Sequence, residues 1–327
     1  MAVSQSPAGG SSVRPVGHLV TVGEALGLLT VAENTALRTG SAFALGVGGA
    51  EVNVAIGVSR LGGGAAWLGR VGDDEIGALV TATLRKEGVD VAGVTVEAGR
   101  PTSLLMRGSS VGGVRRPSYY REDGPGARLQ PRDVPEPIIA SASVLHVTGI
   151  TPALSASARD TVRAAMVRAV AAGVAVSLDV NYRPALWSSG EARPVVEDLV
   201  SLADHVFVGQ DEAEALGWGG TAESLGARLS ALGADVVIVK QAEAGATAIA
   251  AGRAVHAPAA PTRPVEMHGA GDAFAAGYIA ELMRGAPLAT RLATATACAA
   301  RDDAPGDWEG LPTRSEIDGA EMRTVAP

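Results

Sequence analysis

Short β-branched apolar runs alternate along this chain with longer stretches in which small apolar residues return every three or four positions. His18-Leu19-Val20-Thr21-Val22 reads as a strand that stops at Gly23-Glu24. Residues 144–147, 174–178, 205–208 and 236–239 read as further buried strands, each flanked by alanine-rich helical sequence. Between the first two of these four, residues 155–172 place Ala158, Val162, Ala165, Met166 and Ala169 on one stripe, with Arg159, Arg163 and Arg168 turned away. That is the pattern of a crossover helix between parallel strands. The rhythm predicts an α/β fold, a doubly wound and mainly parallel sheet flanked by helices, with ligands beyond the carboxyl ends of its strands.

Two stretches break the rhythm. Segments near 27–47 and 100–122 carry short extended runs with Gly and Pro turns and no helical period, and they read as a small β lid on the α/β body. Such a lid could close over a substrate and exclude water. Residues 1–16, rich in Ser, Pro and Gly, read as a disordered tail. Residues 17–320 read as one domain, and 321–327 as a polar C-terminal tail.

Composition narrows the picture. Of 327 residues, 47% are hydrophobic but only 3% aromatic, so the core must be built from Ala, Val and Leu. A formal charge of −8 argues against nucleic acid, whose backbone demands a basic surface. An anionic ligand would have to be met by local arginines. The single cysteine, Cys298, lies in a run of small residues and reads as helix packing; no disulfide framework or cysteine-based zinc site is possible. The first residues lack the apolar stretch of about 7 to 15 residues that a secretory signal needs. No apolar run reaches the roughly 18 residues needed to span a bilayer. The expectation is a soluble, cytoplasmic protein without membrane partners.

The candidate chemistry begins with Gly269-Ala270-Gly271-Asp272, ahead of an apolar helical run. The small residues would let backbone N–H groups at a helix start converge on a phosphate. Asp272 then reads either as the base that takes a proton from an attacking hydroxyl or as an ordinary helix N-cap. Gly48-Gly49-Ala50-Glu51-Val52-Asn53 opens another helix. Its glycines would let a ligand touch the backbone, and Asn53 reads as a polyol contact or as a loop tie. The segment from Gly69 to Gly77 reads as a tight turn with an acidic helix start. Tyr119-Tyr120-Arg121 in the lid, and Asn181-Tyr182-Arg183-Pro184 after a core strand, carry two arginines that could clamp a carboxylate or merely face solvent. Residues 240–245, from Lys240 to Gly245, form either the loop beneath a nucleotide or a plain hairpin turn.

Together these segments resemble the ribokinase-like (PfkB) carbohydrate kinases, and among them the 2-keto-3-deoxygluconate kinases. The resemblance covers nearly the whole chain and rests on Gly48 to Ala55, Tyr119-Tyr120-Arg121, the run from Leu145 to Ser155, Asp179 to Pro184 with Leu186-Trp187, Gly269 to Asp272, and Gly306 to Gly310. It implies a kinase using ATP and Mg2+, with Asp272 as base and Gly269, Ala270 and Gly271 as the anion hole. It implies Gly49, Asn53, Tyr119, Arg121, Arg183 and Asp307 at the sugar acid. It also implies Asn181, Tyr182, Arg183, Lys240, Ala242, Gly245, Gly269 and Gly271 at the nucleotide, Glu212 organising magnesium through water, and a homo-oligomer formed through the lid.

The chain departs from that family in several places. Glu266-Met267-His268 stands where Asp followed by Thr or Pro is usual, which leaves a monovalent cation open. His268 reads either as structural or as a charge beside the phosphate path that titrates near neutrality. Gly209 replaces an asparagine, Ala242 a glycine, and Leu105 a tyrosine of close relatives. A neutral-sugar kinase of the fructokinase or ribokinase type, or a weakly active sugar-binding protein, are the alternatives. The first strand argues against a dinucleotide oxidoreductase, since it ends at Gly23-Glu24-Ala25-Leu26 without the G-x-G-x-x-G turn.

Overall fold

The structure, a computed structural model, describes residues 17–31, 37–108, 117–260, 269–300 and 308–324, with side chains through residue 319. Among these residues the main sheet has nine strands. Their spatial order is β15 (Arg253–Ala257), β14 (Ala246–Ala250), β13 (Val236–Lys240), β12 (His205–Gly209), β11 (Ala175–Asp179), β10 (Val144–Thr148), β1 (His18–Val22), β4 (Gly64–Leu68) and β6 (Val89–Asp90). All neighbours from β6 to β13 are parallel, and only β14 and β15 run antiparallel at the edge. From β1 the chain builds outward to β4 and β6, then returns to β10 and builds the other way. The direction of winding therefore switches between β1 and β10, where a doubly wound sheet opens a crevice at its strand ends.

The expected crossover helix forms over Ala156–Ala172. The Ser155 hydroxyl caps it by accepting from the Ala158 N–H at 3.0 Å, and Gly173 ends it at φ 69°, in the left-handed region glycine enters freely. Its stripe of Ala158, Val162, Ala165, Met166 and Ala169 is buried in the core on one face of the sheet. On the other face, helices Ala50–Arg60, Ala270–Met283 and Leu288–Ala299 contribute to a second core. Small residues set the spacing there. A Cβ on Gly57 would lie 2.6 Å from that of Ala276, so a side chain would force the first two helices apart. Cys298 is buried in the same core, as its run of small residues implied.

The lid is a four-stranded sheet in the order β3 (Phe43–Gly48), β2 (Leu26–Val31), β8 (Leu104–Arg107), β9 (Pro117–Tyr120). The central pair is parallel and the outer pairs are antiparallel. The register puts Leu26, Leu28, Leu105, Arg107 and Tyr119 on one face, and Leu29, Val31, Phe43, Leu45, Leu104, Met106 and Tyr120 on the other. A two-stranded sheet of β5 (Arg70–Gly72) and β7 (Thr95–Glu97) lies nearby, so the turn read at Gly69 to Gly77 is built into structure.

The C-terminal stretch is more integrated than its polarity suggested. A helix spans Arg314–Thr324 and buries Ile317 in the core, so this polar segment is docked through that side chain. Among the described residues, no helix is long and apolar enough to cross a membrane.

Candidate active site

Helix Ala270–Met283 starts from Gly269, the N-cap residue, at φ 92°. Asp272 therefore occupies the third helical position and is not the N-cap, which removes one of its two sequence readings. The Gly269 carbonyl accepts from the Ala273 N–H at 2.8 Å, so the N–H groups of residues 270–272 precede the helix's own ladder. With the positive end of the helix dipole behind it, this helix start, Gly269 to Gly271 ahead of Asp272, makes a ready anion cradle.

The second glycine-led helix faces the first. Gly49 caps helix Ala50–Arg60 at φ 135°, and a Cβ there would lie 2.4 Å from the Glu24 carbonyl oxygen, so only glycine fits. One turn on, Asn53 Nδ2 donates to Asp272 Oδ2 at 2.8 Å. The Asn53 Oδ1 is buried and has no hydrogen-bond partner among the described residues.

A cavity of about 870 Å³ opens over these two helix starts, beneath the lid and along the strand ends. Its wall includes Gly49, Asn53, Tyr119, Arg121, Asn181, Arg183, Glu212, Lys240, Ala242, Gly245, Gly269, Ala270, Gly271 and Asp272. Nearly all the residues singled out in the sequence thus share one cleft. Tyr182 is the exception and corrects an expectation. Its ring lies in the core, 6% exposed, and its hydroxyl donates to the Trp187 carbonyl at 3.2 Å. It shares a tripeptide with two wall residues but is turned inward. Asp307 and the run from Glu266 to His268 lie outside the described residues.

Several wall residues carry charge. Lys240 Nζ donates to both oxygens of Asp179, at 2.8 and 2.9 Å. Burial opposes the ammonium charge, but Asp179, Glu212 and Asp272 together raise its pKa above the ordinary lysine value. Glu212 sits in the first turn of helix Gln210–Ala215 and accepts from the Gly209 N–H at 2.7 Å. Burial raises its pKa, against the pull of Lys240. At the hairpin after Lys240, Ala242 has φ 49° and Gly245 has φ 91°. The Gln241 N–H closes that turn on the Gly245 carbonyl at 2.8 Å, so the segment is a hairpin that also lines the cavity.

The sequence reading missed Glu24, Glu51 and Arg107, which also line the cavity. Glu51 Oε1 accepts from the Thr148 and Thr151 hydroxyls at 2.8 and 3.0 Å, and burial pushes its pKa up to about 7. Glu24 lies 3.3 Å from Arg121 Nη2, and that guanidinium stacks 4.9 Å above the Tyr119 ring. Burial raises the Glu24 pKa, with Arg121 and Ser103 opposing. Gly23-Glu24 at the end of the first strand was the available signal, since that strand end borders the switch point.

The likenesses to known proteins agree with this geometry. Residues 17–301 match the pfkB family carbohydrate kinase. A 2-dehydro-3-deoxygluconokinase of Bacillus subtilis (strain 168) is 36% identical over 305 residues, which are 91% of this chain and 93% of that protein. A fructokinase of Klebsiella pneumoniae is 36% identical over 280 residues, 83% of this chain and 90% of that one. Among solved structures, a putative ribokinase II from E. coli in complex with ATP and Mg+2 superposes with a TM-score of 0.86 at 25% identity, covering 94% of this chain and 99% of that chain. The fold and these likenesses together define an enzyme that phosphorylates a carbohydrate. The chain belongs to the pfkB family of carbohydrate kinases, and it is a sugar kinase.

Proposed function

We propose that the enzyme transfers the γ-phosphate of ATP to a primary hydroxyl of a keto-sugar acid, 2-keto-3-deoxygluconate in the first instance. The observation that carries this reading is the Asp272 carboxylate, in the first turn of the anion-cradling helix, in one cleft with Arg107, Arg121 and Arg183. Asp272 takes the acceptor's proton as the acceptor oxygen bonds to the γ-phosphorus. The bond from that phosphorus to its bridging oxygen breaks, and ADP leaves. The N–H groups of residues 269–271 take up negative charge on the transferring group. Arg121 and Arg183 hold the acceptor carboxylate, with Gly49, Asn53 and Tyr119 along its polyol chain and Asp307 as a further contact. Asn181, Lys240, Ala242 and Gly245 border the nucleotide.

The wall suits magnesium held mainly through phosphates and water. Glu212 is a buried carboxylate at the cavity, Asp211 lies beside it, and no group of three candidate metal ligands occurs among the described residues. When bound, the ion neutralises phosphate charge, and Glu212 would orient its water shell. We assign the work to the cytoplasm, where ATP is available. The apolar outer face of the lid is assigned to a second copy of the chain.

A neutral-sugar kinase is the second reading, favoured by the fructokinase relative at the same identity. An ADP-release screen with ATP and magnesium separates the two. Keto-sugar acids should exceed fructose and ribose in kcat/KM by at least about tenfold, since only an acid uses the arginines fully. Asp272→Asn should lower kcat by about 10² to 10⁴ with little change in sugar Kd. Preference for fructose sinks the acceptor; near-normal turnover by the variant sinks the base.

A further inference from the structure

We infer that Lys240 is a further catalytic residue: its ammonium grips the phosphoryl group in transit between nucleotide and acceptor. The inference rests on the assignment of the residues 269–271 cradle to that phosphate.

Three observations carry it. Lys240 ends strand β13, the last of the parallel strands on that side of the sheet, and lines the cavity at the strand ends. Its Nζ lies 3.7 Å from where a Cβ on Gly271 would stand, so the ammonium borders the backbone of the anion cradle. It is also close enough to Asp272 for that carboxylate to help hold its charge. The ammonium thus borders both the glycine-led helix start and the base, within the wall of the same cavity.

Asp179, at the end of β11, holds the lysine there. Two of the three ammonium donors go to its oxygens, which leaves a third for a ligand. A buried pair of this kind is a poor source of stability, because desolvating both partners offsets most of their attraction. Its place at the cavity wall, one residue width from Gly271, gives it a different use. A fixed positive charge that needs no reorganisation favours the state in which charge spreads over the transferring oxygens. A Cβ at 271 would meet the ammonium at ordinary contact distance, which shows how near the charge stands to the cradle backbone.

The competing account is that Lys240 merely neutralises Asp179. Four full-length proteins separate the two: wild type, Lys240→Gln, Lys240→Arg, and the double variant Asp179→Asn with Lys240→Gln, which removes both charges at nearly constant volume. Turnover is measured on whichever sugar the wild type phosphorylates best. Calorimetry measures the affinity for magnesium-ADP with aluminium fluoride, which imitates the planar phosphoryl, and for the β,γ-imido analogue of ATP, which does not.

Lys240→Gln and the double variant should each lose about 100-fold or more in kcat, and Lys240→Arg should recover part of it. Affinity for the aluminium fluoride complex should fall by a similar factor, while the imido analogue stays within about fivefold. A double variant with kcat within about fivefold of wild type overturns the proposal, as does an equal loss of affinity for both nucleotides. The calorimetric arm needs no acceptor, so a wrong sugar assignment leaves it standing. A wrong base assignment shows separately, as normal turnover by Asp272→Asn.

Discussion

Asn53 Nδ2 donates a hydrogen bond of 2.8 Å to Asp272 Oδ2, joining the first turns of two helices 219 residues apart in sequence. Both helices begin from glycines with positive φ, so their first turns approach closely. An amide donor fixes the orientation of the carboxylate, which a proton acceptor needs if it is to meet the attacking hydroxyl.

Asn53→Ala should therefore lower kcat by about 10- to 100-fold, less than loss of the carboxylate itself. Asn53→Asp should do more damage at neutral pH, because it sets a second negative charge against Asp272. Its activity should recover partly as pH falls and one of the two protonates. A pH profile of kcat for both variants checks this, and an Asn53→Ala enzyme with wild-type kcat would remove the orienting role.

Much of this arrangement was legible in the sequence because it is local. Apolar strands, the stripe of the crossover helix and the glycines that precede Asp272 each announce themselves within a few residues. What escaped notice depends on distant neighbours. Glu51 reads as an ordinary acidic residue near a helix start until Thr148 and Thr151, 97 and 100 residues away, close over it. Residues 246–250 and 253–257 are alanine-rich, and they become strands through two successive hairpins, one after Lys240 that pairs β13 with β14 and one at Ala251-Gly252 that pairs β14 with β15. Tyr182 misled because neighbours in a tripeptide were treated as one unit. The backbone turns at Asn181, at φ 40°, and sends alternate side chains to opposite sides.

Glu51 offers a test in pH. Its folded pKa, pushed up to about 7 by burial, lies above the unfolded value of 4.5. A group raised on folding contributes stability that is full below its unfolded pKa and lost as pH rises through its folded one. The wild type should lose on the order of 2–3 kcal/mol from this group between about pH 5 and pH 8. Glu51→Gln keeps the acceptor for the two threonines but cannot ionise. Thermal unfolding of both proteins across that range should therefore converge at low pH, with the variant the more stable at pH 8. Parallel curves would show that Glu51 does not titrate there.

Ala242 replaces a glycine that the family usually carries, and the structure shows what that costs. At φ 49° it is in the left-handed region, where a Cβ crowds its own carbonyl. Ala242→Gly should raise stability by about 0.5–1 kcal/mol, the relief of strain exceeding the extra chain entropy of glycine. Chemical denaturation reads this directly. A destabilised variant would mean that the methyl group makes compensating contacts in the hairpin.

The outer face of the lid carries the last prediction. The strand register gathers Leu29, Val31, Phe43, Leu45, Leu104, Met106 and Tyr120 on the side away from the cavity, and Phe43, Leu45 and Tyr120 are 40%, 51% and 60% exposed. A lone hydrophobe at a surface is ordinary, but a contiguous apolar sheet face marks a contact surface. On the proposal that a second copy covers it, the partner would supply the same face in return, as a two-fold interface requires. Light scattering should then give twice the chain mass for the wild type. Leu45→Glu should weaken the pair by about 100-fold or more in Kd, since a carboxylate at the centre of the interface would be buried without a partner. Its sugar KM should rise with it, because Arg107 and Tyr119 project from the cavity side of the same four strands. A monomeric wild type, or a Leu45→Glu dimer of unchanged affinity, would assign this face to some other partner.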